Sequence, residues 1–241
     1  MKSSFSTVSV GSSGTTLGDT GILPPRGGDQ GDHYDHHWSN FEMRLRRARL
    51  GLVVALTGIL MIFASFTSAY IVRQGLPTFD SRTNTFVHDW LPVRLPAILL
   101  VNTCVLLIST VSMELARRAA RAQVSSIPGV SLGRESRVYW IGLTLLLGLT
   151  FLRGQWLAWR QLTAAGFDIA ATPSSSFVYL LTGMHGVHLL GGILALLVAG
   201  GATVLRRPAE SRAVLLDVTG WYWHSMAFLW IYILCLLKFV R

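Results

Sequence analysis

The stretch "FVYLLTGMHGVHLLGGILALLVAGGATVL", residues 177–205, contains no charged residue. An α-helix rises about 1.5 Å per residue, and about 20 mostly apolar residues cross the hydrocarbon core of a bilayer. This run is long enough to cross. It lacks the two-residue alternation that a strand of a transmembrane barrel requires. A helix satisfies its own backbone hydrogen bonds in lipid and is the structure left. Working outward, the gaps between charged residues mark four more such runs. The expected spans are about residues 50–72, 95–115, 138–159, 177–205 and 218–238; Arg153 interrupts the third, and Glu114 and Lys238 fall at the ends of the second and fifth. The whole chain agrees: 51% of its 241 residues are hydrophobic and only 14% are charged, too few charges for an ordinary soluble domain. The fold class expected is all-α, a polytopic membrane bundle of five transmembrane helices over residues 44–241. A polar, Gly/Ser-rich tail over residues 1–43 precedes it.

The formal net charge of +9 is arranged by loop, not as a nucleic-acid-binding patch. Arg44, Arg46, Arg47 and Arg49 precede the first span. Arg117, Arg118, Arg121, Arg134 and Arg137 follow the second, and Arg206, Arg207 and Arg212 follow the fourth. The alternate loops carry Arg73, Arg82 and Arg94, then Arg160, then Lys238 and Arg241. The bias of Lys and Arg towards the cytoplasmic side then places the N-terminus inside and the C-terminus outside. The basic loops are suited to anionic lipid; no nucleic-acid partner is expected.

The tail has too few apolar residues to fold alone, and a partner subunit is what would order it. It ends in "HYDHHW", where His33, Asp35, His36 and His37 read as a solvated polar cluster in preference to a metal site. With no apolar stretch at the N-terminus to serve as a cleaved signal, the first span is expected to direct insertion. The segment "SSIPGVSLG" in the 117–137 loop is turn chemistry. Cys104 and Cys235 fall in spans without a motif and read as small apolar residues. No glycine pattern for nucleotides and no nucleophile–base pair is present, so function must lie in the bundle or on its surfaces.

Ionisable groups inside a membrane are costly and point to function. Arg153 lies roughly 10 Å inside the third span, a depth from which an arginine snorkels to the surface. Gln155 follows and can hydrogen-bond between helices. His185 and His188, at i and i+3, share one helix face. Gly191, Ala195 and Ala199 form a small-residue stripe where another helix can approach closely. The fifth span opens with "WYWHSMAFLWIY", where Trp221, Tyr222 and Trp223 read as an interfacial aromatic belt and His224 lies roughly 8 Å into the core. His188 and His224 come to similar depths, so a bis-histidine haem is geometrically conceivable. Against it, the spans hold only three histidines, and two of them sit on one helix without facing each other across a haem. No carboxylate in the histidine-bearing spans is at hand to orient a ligand. The competing reading is neutral histidines that bridge helices or meet lipid headgroups. The spans lack the mid-membrane carboxylates of ion-coupled transporters.

Taken in order, five segments resemble subunit III of the haem–copper terminal oxidases, cytochrome c oxidase among them, in its five-helix bacterial form. They are "FASFTSAYIVRQG" (63–75), "LPAILLVNTCVLLISTVSMELA" (95–116), "GLTFLRGQWLAWRQL" (148–162), "TGMHGVHLLGG" (182–192) and "WYWHSMAFLW" (221–230). The matching positions include Pro96, Asn102, Thr103, Ser109, Phe151, Leu152, Gln155, His185, His188, Tyr222, Trp223, His224 and Trp230. The resemblance covers roughly residues 45–240, one segment per span. Two positions depart from it: Ile59 stands where family members commonly carry a glutamate, and Ala227 where many carry an acidic residue.

The resemblance implies an accessory subunit in a bacterial inner membrane, with no cofactor or metal of its own and no catalytic residue. Haem and copper would sit in subunits I and II, its partners. Phospholipid would be bound in a cleft between helix groups, and the subunit would support proton uptake by a proton-translocating aerobic oxidase. Cytochrome c or a larger respiratory supercomplex are further partners on this reading. His185, His188, His224, Gln155, Arg153, Trp223 and Trp230 are the structural or lipid-contact candidates. The alternatives are an accessory subunit of a nitric oxide reductase or quinol oxidase, and a haem-binding membrane anchor.

Overall fold

The computed structural model describes residues 29–80, 84–87, 90, 95–124, 134–169 and 171–239. Five helices follow one another: α1 (Asp29–Gly75), α2 (Ile98–Val124), α3 (Arg134–Ala164), α4 (Pro173–Val204) and α5 (Ala209–Phe239). Between α1 and α2 lies an antiparallel hairpin, β1 (Thr78–Asp80) and β2 (Thr85–Val87), with Phe79 opposite Phe86. All five helices are long and apolar enough to cross a membrane. The architecture is therefore the expected all-α, five-span bundle, and the chain is a multi-pass membrane protein. Residues Phe41–Arg241 form one compact unit, to which all five spans belong.

The helices outrun the charge-free stretches. A charge-free run marks the hydrocarbon core, but a helix continues beyond it wherever its charged side chains can reach water or a partner. So α2 runs on through Arg117, Arg118 and Arg121, and α5 begins early enough to take Asp217 inside the helix. Likewise α1 begins at Asp29, within the stretch assigned from sequence to the polar tail. Residues 1–28, the side chains of the "HYDHHW" cluster and the "SSIPGVSLG" turn lie outside the described residues.

Local chemistry sets two of the ends. Thr172 caps α4: its hydroxyl accepts from Ser175 N at 3.2 Å, Ser175 Oγ accepts from Thr172 N, and Pro173 follows at the first helical position. These contacts satisfy backbone donors that a helix N-terminus leaves free. At the end of α3, Gly166 takes φ 86°, and Phe167 N reaches back to Leu162 O at 3.0 Å. That left-handed residue is what glycine supplies without steric cost.

Helices α2, α3, α4 and α5 close into a ring, with α2 and α4 each packed against α3 and α5. One apolar core, built around Leu106, Met113, Phe151, Leu196, Trp223 and Trp230, fills it. Helix α1 stands apart. None of its Cα atoms comes within 8 Å of a Cα in another helix. It meets the ring only through side chains.

Candidate functional site

Several polar side chains of the ring bond from one helix to the next. The indole N–H of Trp223 donates to Ser109 Oγ at 3.0 Å, and that of Trp230 donates to Thr103 Oγ1 at 3.0 Å. Helices α2 and α5 run antiparallel, so the two bonds form rungs about two turns apart. Between α2 and α3, Ser112 and Thr144 hydroxyls meet at 2.7 Å, and Asn102 Nδ2 donates to Phe151 O at 3.4 Å. Glycines let these contacts form. A Cβ at Gly154 would overlap the Asn102 carboxamide, and one at Gly148 would lie 2.9 Å from the edge of Trp223. In lipid there is little hydrophobic drive between helices, so close packing and interhelical hydrogen bonds are what hold such a ring together.

Trp223 is fully buried and so is not part of an interfacial belt. Because α5 starts at Ala209, the "WYW" segment lies several turns along the helix. Of the three aromatics only Trp221 is exposed, with the Arg117 guanidinium 5.7 Å above its ring. Of the small-residue stripe Ala199 is fully buried and Ala195 half-buried, while Gly191 is exposed; the close approach is at Gly192, where a Cβ would come 3.0 Å from Tyr222 Cε1.

The three histidines go to three different places. His185 is fully buried between Phe151 (centroids 5.8 Å apart) and Trp230 (5.0 Å). Among the described residues, neither of its ring nitrogens has a hydrogen-bond partner. His188 turns towards α1, with its ring 5.7 Å from that of Phe63. Its Nδ1 is 2.7 Å from Met184 O, and its own carbonyl accepts from the Tyr222 hydroxyl at 2.8 Å. His224 is half-buried, with Nε2 3.5 Å from Glu114 Oε2 on α2. A carboxylate thus does stand beside one histidine, but it comes from another helix. Gln155 is buried with Oε1 unpartnered, and Arg153 is exposed.

One feature was not legible in the sequence. Asp217 is 1% exposed, and three arginines close on it: Arg49 Nε of α1 at 2.8 Å, Arg117 Nη1 of α2 at 3.3 Å, and Arg121. Arg117 also pairs with Glu114 at 2.8 Å, which Arg118 holds from its other oxygen at 2.8 Å. The network runs from His224 through Glu114 and Arg117 to Asp217, and ties α1, α2 and α5 at one end of the bundle. Asp217 falls one residue before the expected fifth span, 218–238. The available signal was its place one turn ahead of the "WYWH" segment on what could be a continuous helix.

Between α1 and α5 lies an apolar groove with a cavity volume of ≈ 590 Å³, lined by Leu60, Phe63 and Ala64 from one side and Ser225, Phe228, Leu229 and Tyr232 from the other. A single hydrogen bond, Tyr232 Oη to Thr67 Oγ1 at 3.0 Å, crosses beside it. At the far end Tyr70 stacks edge-on against Trp90 and Phe177, with centroids 5.0 and 5.7 Å away. Cys104 and Cys235 are unpaired and exposed. Among the described residues, no three of His, Cys, Asp and Glu are grouped to hold a metal ion.

Comparison with known proteins gives one consistent result. The family model described as cytochrome c oxidase subunit III matches residues 32–240. A "Probable cytochrome c oxidase subunit 3" of Mycobacterium leprae is 27% identical over 194 residues, which cover 80% of this chain and 87% of that protein. A protein of the same name from Mycobacterium tuberculosis (strain ATCC 25618 / H37Rv) is 32% identical over 102 residues, 42% of this chain and 50% of that protein. The cytochrome c oxidase subunit 3 of Triticum aestivum is 28% identical over 204 residues, 82% of this chain and 69% of that protein.

Proposed function

The chain belongs to the cytochrome c oxidase subunit III family, and from that premise we propose that it is a non-catalytic subunit of a proton-translocating terminal oxidase. It packs with subunits I and II, which carry the haem and copper and take electrons from cytochrome c. Mycobacterial relatives support a bacterial cytoplasmic membrane, and the loop arginines support an N-terminus inside and a C-terminus outside. The observation that carries the non-catalytic reading is the use of the motif residues. Trp223, Trp230, Ser109, Thr103 and Asn102 are all engaged in bracing one helix against another.

His185, Gln155, Trp223 and Trp230 are on this reading structural residues of the ring. His188, which faces α1, and the exposed Arg153 are the lipid-side residues, and His224 belongs to the charged network at the bundle end. The apolar groove between α1 and α5 suits a phospholipid acyl chain. With Ile59 and Ala227 in place of acidic residues, support for proton uptake is structural: the subunit steadies subunit I and excludes lipid and water from its flank.

The test is purification of the complex with and without this chain. Removal is expected to leave every haem and copper in place while oxygen reduction decays during sustained turnover. Loss of one haem per complex, or a haem Soret band in the isolated chain, would overturn the proposal.

A further inference from the structure

The hairpin Thr78–Val87 is absorbed by neither the fold nor the proposed function. Two strands of three residues are too little to be stable alone in water. Its register makes Phe79 and Phe86 direct partners on one face, with ring centroids 5.4 Å apart. That face is uncovered: Phe79 is 52% exposed and Phe86 71%. No helix packs against either strand among the described residues.

Both ends of the hairpin are pinned at one level of the bundle. Only Leu76 and Pro77 separate β1 from the end of α1, a connection of about 10 Å at most when extended. After β2, Trp90 returns to stack on Tyr70 of α1 and Phe177 of α4. Tyr70 lies five residues before the end of α1, a rise of about 7–8 Å. Arg73 Nη1, in the last turn, donates to Leu76 O at 3.2 Å, which places a cation at the same boundary. Tyr, Trp and Arg at one helix end mark the headgroup region of a bilayer. Ile71, Val72 and Leu76 at the end of α1 are exposed too, and Phe79 follows Leu76 by three residues, so exposed apolar side chains run along the chain from the spanning helix into the hairpin.

We infer that the Phe79–Phe86 face of the hairpin lies in the lipid headgroup–acyl boundary and anchors this end of α1 to the membrane surface. The occupant is the bilayer itself. The uncovered pair follows closely on the exposed apolar end of a spanning helix, at the level where aromatic residues settle. Helix α1 makes no close backbone contact with the ring, so an interfacial anchor at its end fixes its depth where the ring does not. The inference rests on the membrane spans and the geometry of the hairpin, and the proposed complex enters only as the form in which the chain is purified.

Single cysteines test it. In a background with Cys104→Ala and Cys235→Ala, Phe79→Cys, Phe86→Cys or Thr85→Cys is labelled with a nitroxide. Thr85, adjacent in sequence to Phe86, belongs to the opposite face. The purified complex is reconstituted into phosphatidylcholine vesicles containing phosphatidylglycerol. Collisions with oxygen and with a water-soluble nickel chelate then report depth. Labels at 79 and 86 are expected about 5–10 Å into the boundary, oxygen-accessible and chelate-poor, with the label at 85 in water. Chelate access at 79 and 86 equal to that at 85 overturns the inference. Protection of both from oxygen as well as chelate overturns it too, since a protein then covers the face. The two phenylalanine positions are tested separately, so each variant keeps the other ring in place, and retention of the labelled chain in the complex reports folding.

Discussion

Helices α1 and α5 both cross the membrane, and α1 is the more apolar of the two, yet it is much the less buried. In water the order would be reversed. In a bilayer an apolar face gains nothing by leaving lipid, so burial goes to the helix with side chains that pack or bond. Helix α5 carries Trp223 and Trp230, whose indoles reach across to α2, and Gly220, where a Cβ would come 3.0 Å from the Arg117 side chain. Helix α1 offers mostly smooth apolar surface. Among the described residues its ties include the Arg49–Asp217 ion pair, the Tyr232–Thr67 hydroxyl bond, and the packing of Phe63 and Tyr70 against α4 and α5.

That contrast can be broken at four positions. The largest effect is expected from Trp223→Ala, which removes one of the two fully buried tryptophans of the ring and leaves Ser109 without its donor. A loss of about 3–5 kcal/mol is expected from reversible unfolding in mixed micelles. A loss below about 1 kcal/mol would mean that α5 is held by something other than its core rings. Next is Asp217→Asn, which leaves three arginines without their shared carboxylate. Removing one partner of a fully buried pair costs about 3–5 kcal/mol; Arg49 and Arg121 reach solvent, so about 2 kcal/mol is expected here. Arg49→Met removes only the α1 member, itself 41% exposed, and should cost under about 1 kcal/mol. Equal losses in the two variants would show that the cluster serves α1 above all. The smallest effect is Tyr232→Phe, worth about 0.6 kcal/mol, the mean for a hydrogen bond between membrane helices. Amide exchange should quicken in α1 and stay unchanged in α2; a uniform change would contradict the separate attachment of α1.

Much of the fold was legible because the bilayer is a strict solvent. It demands a minimum apolar length and excludes charge, and both are written locally in the chain. The candidate site was legible only as a set of residues. His185 and His188 share a face by spacing, yet one lies against Phe151 and Trp230 and the other against Phe63. No local pattern separates those outcomes, because the neighbours come from α1, α3 and α5. Trp223 read as an interfacial residue since it begins a charge-free run, but the helix had already started at Ala209. Asp217 was passed over for the same reason: a charge at the end of an apolar run looks like a loop until three arginines from two other helices are brought to it.

By itself the sequence determined that the chain crosses the membrane five times and which residues are polar within it. Solvent imposes those features on each segment separately. The tertiary structure alone decided that the indoles brace α2 against α5, that a buried aspartate gathers three arginines, and that α1 stands off from the ring. These depend on which helix faces lie opposite one another, and that is set by close fit across helices distant in sequence.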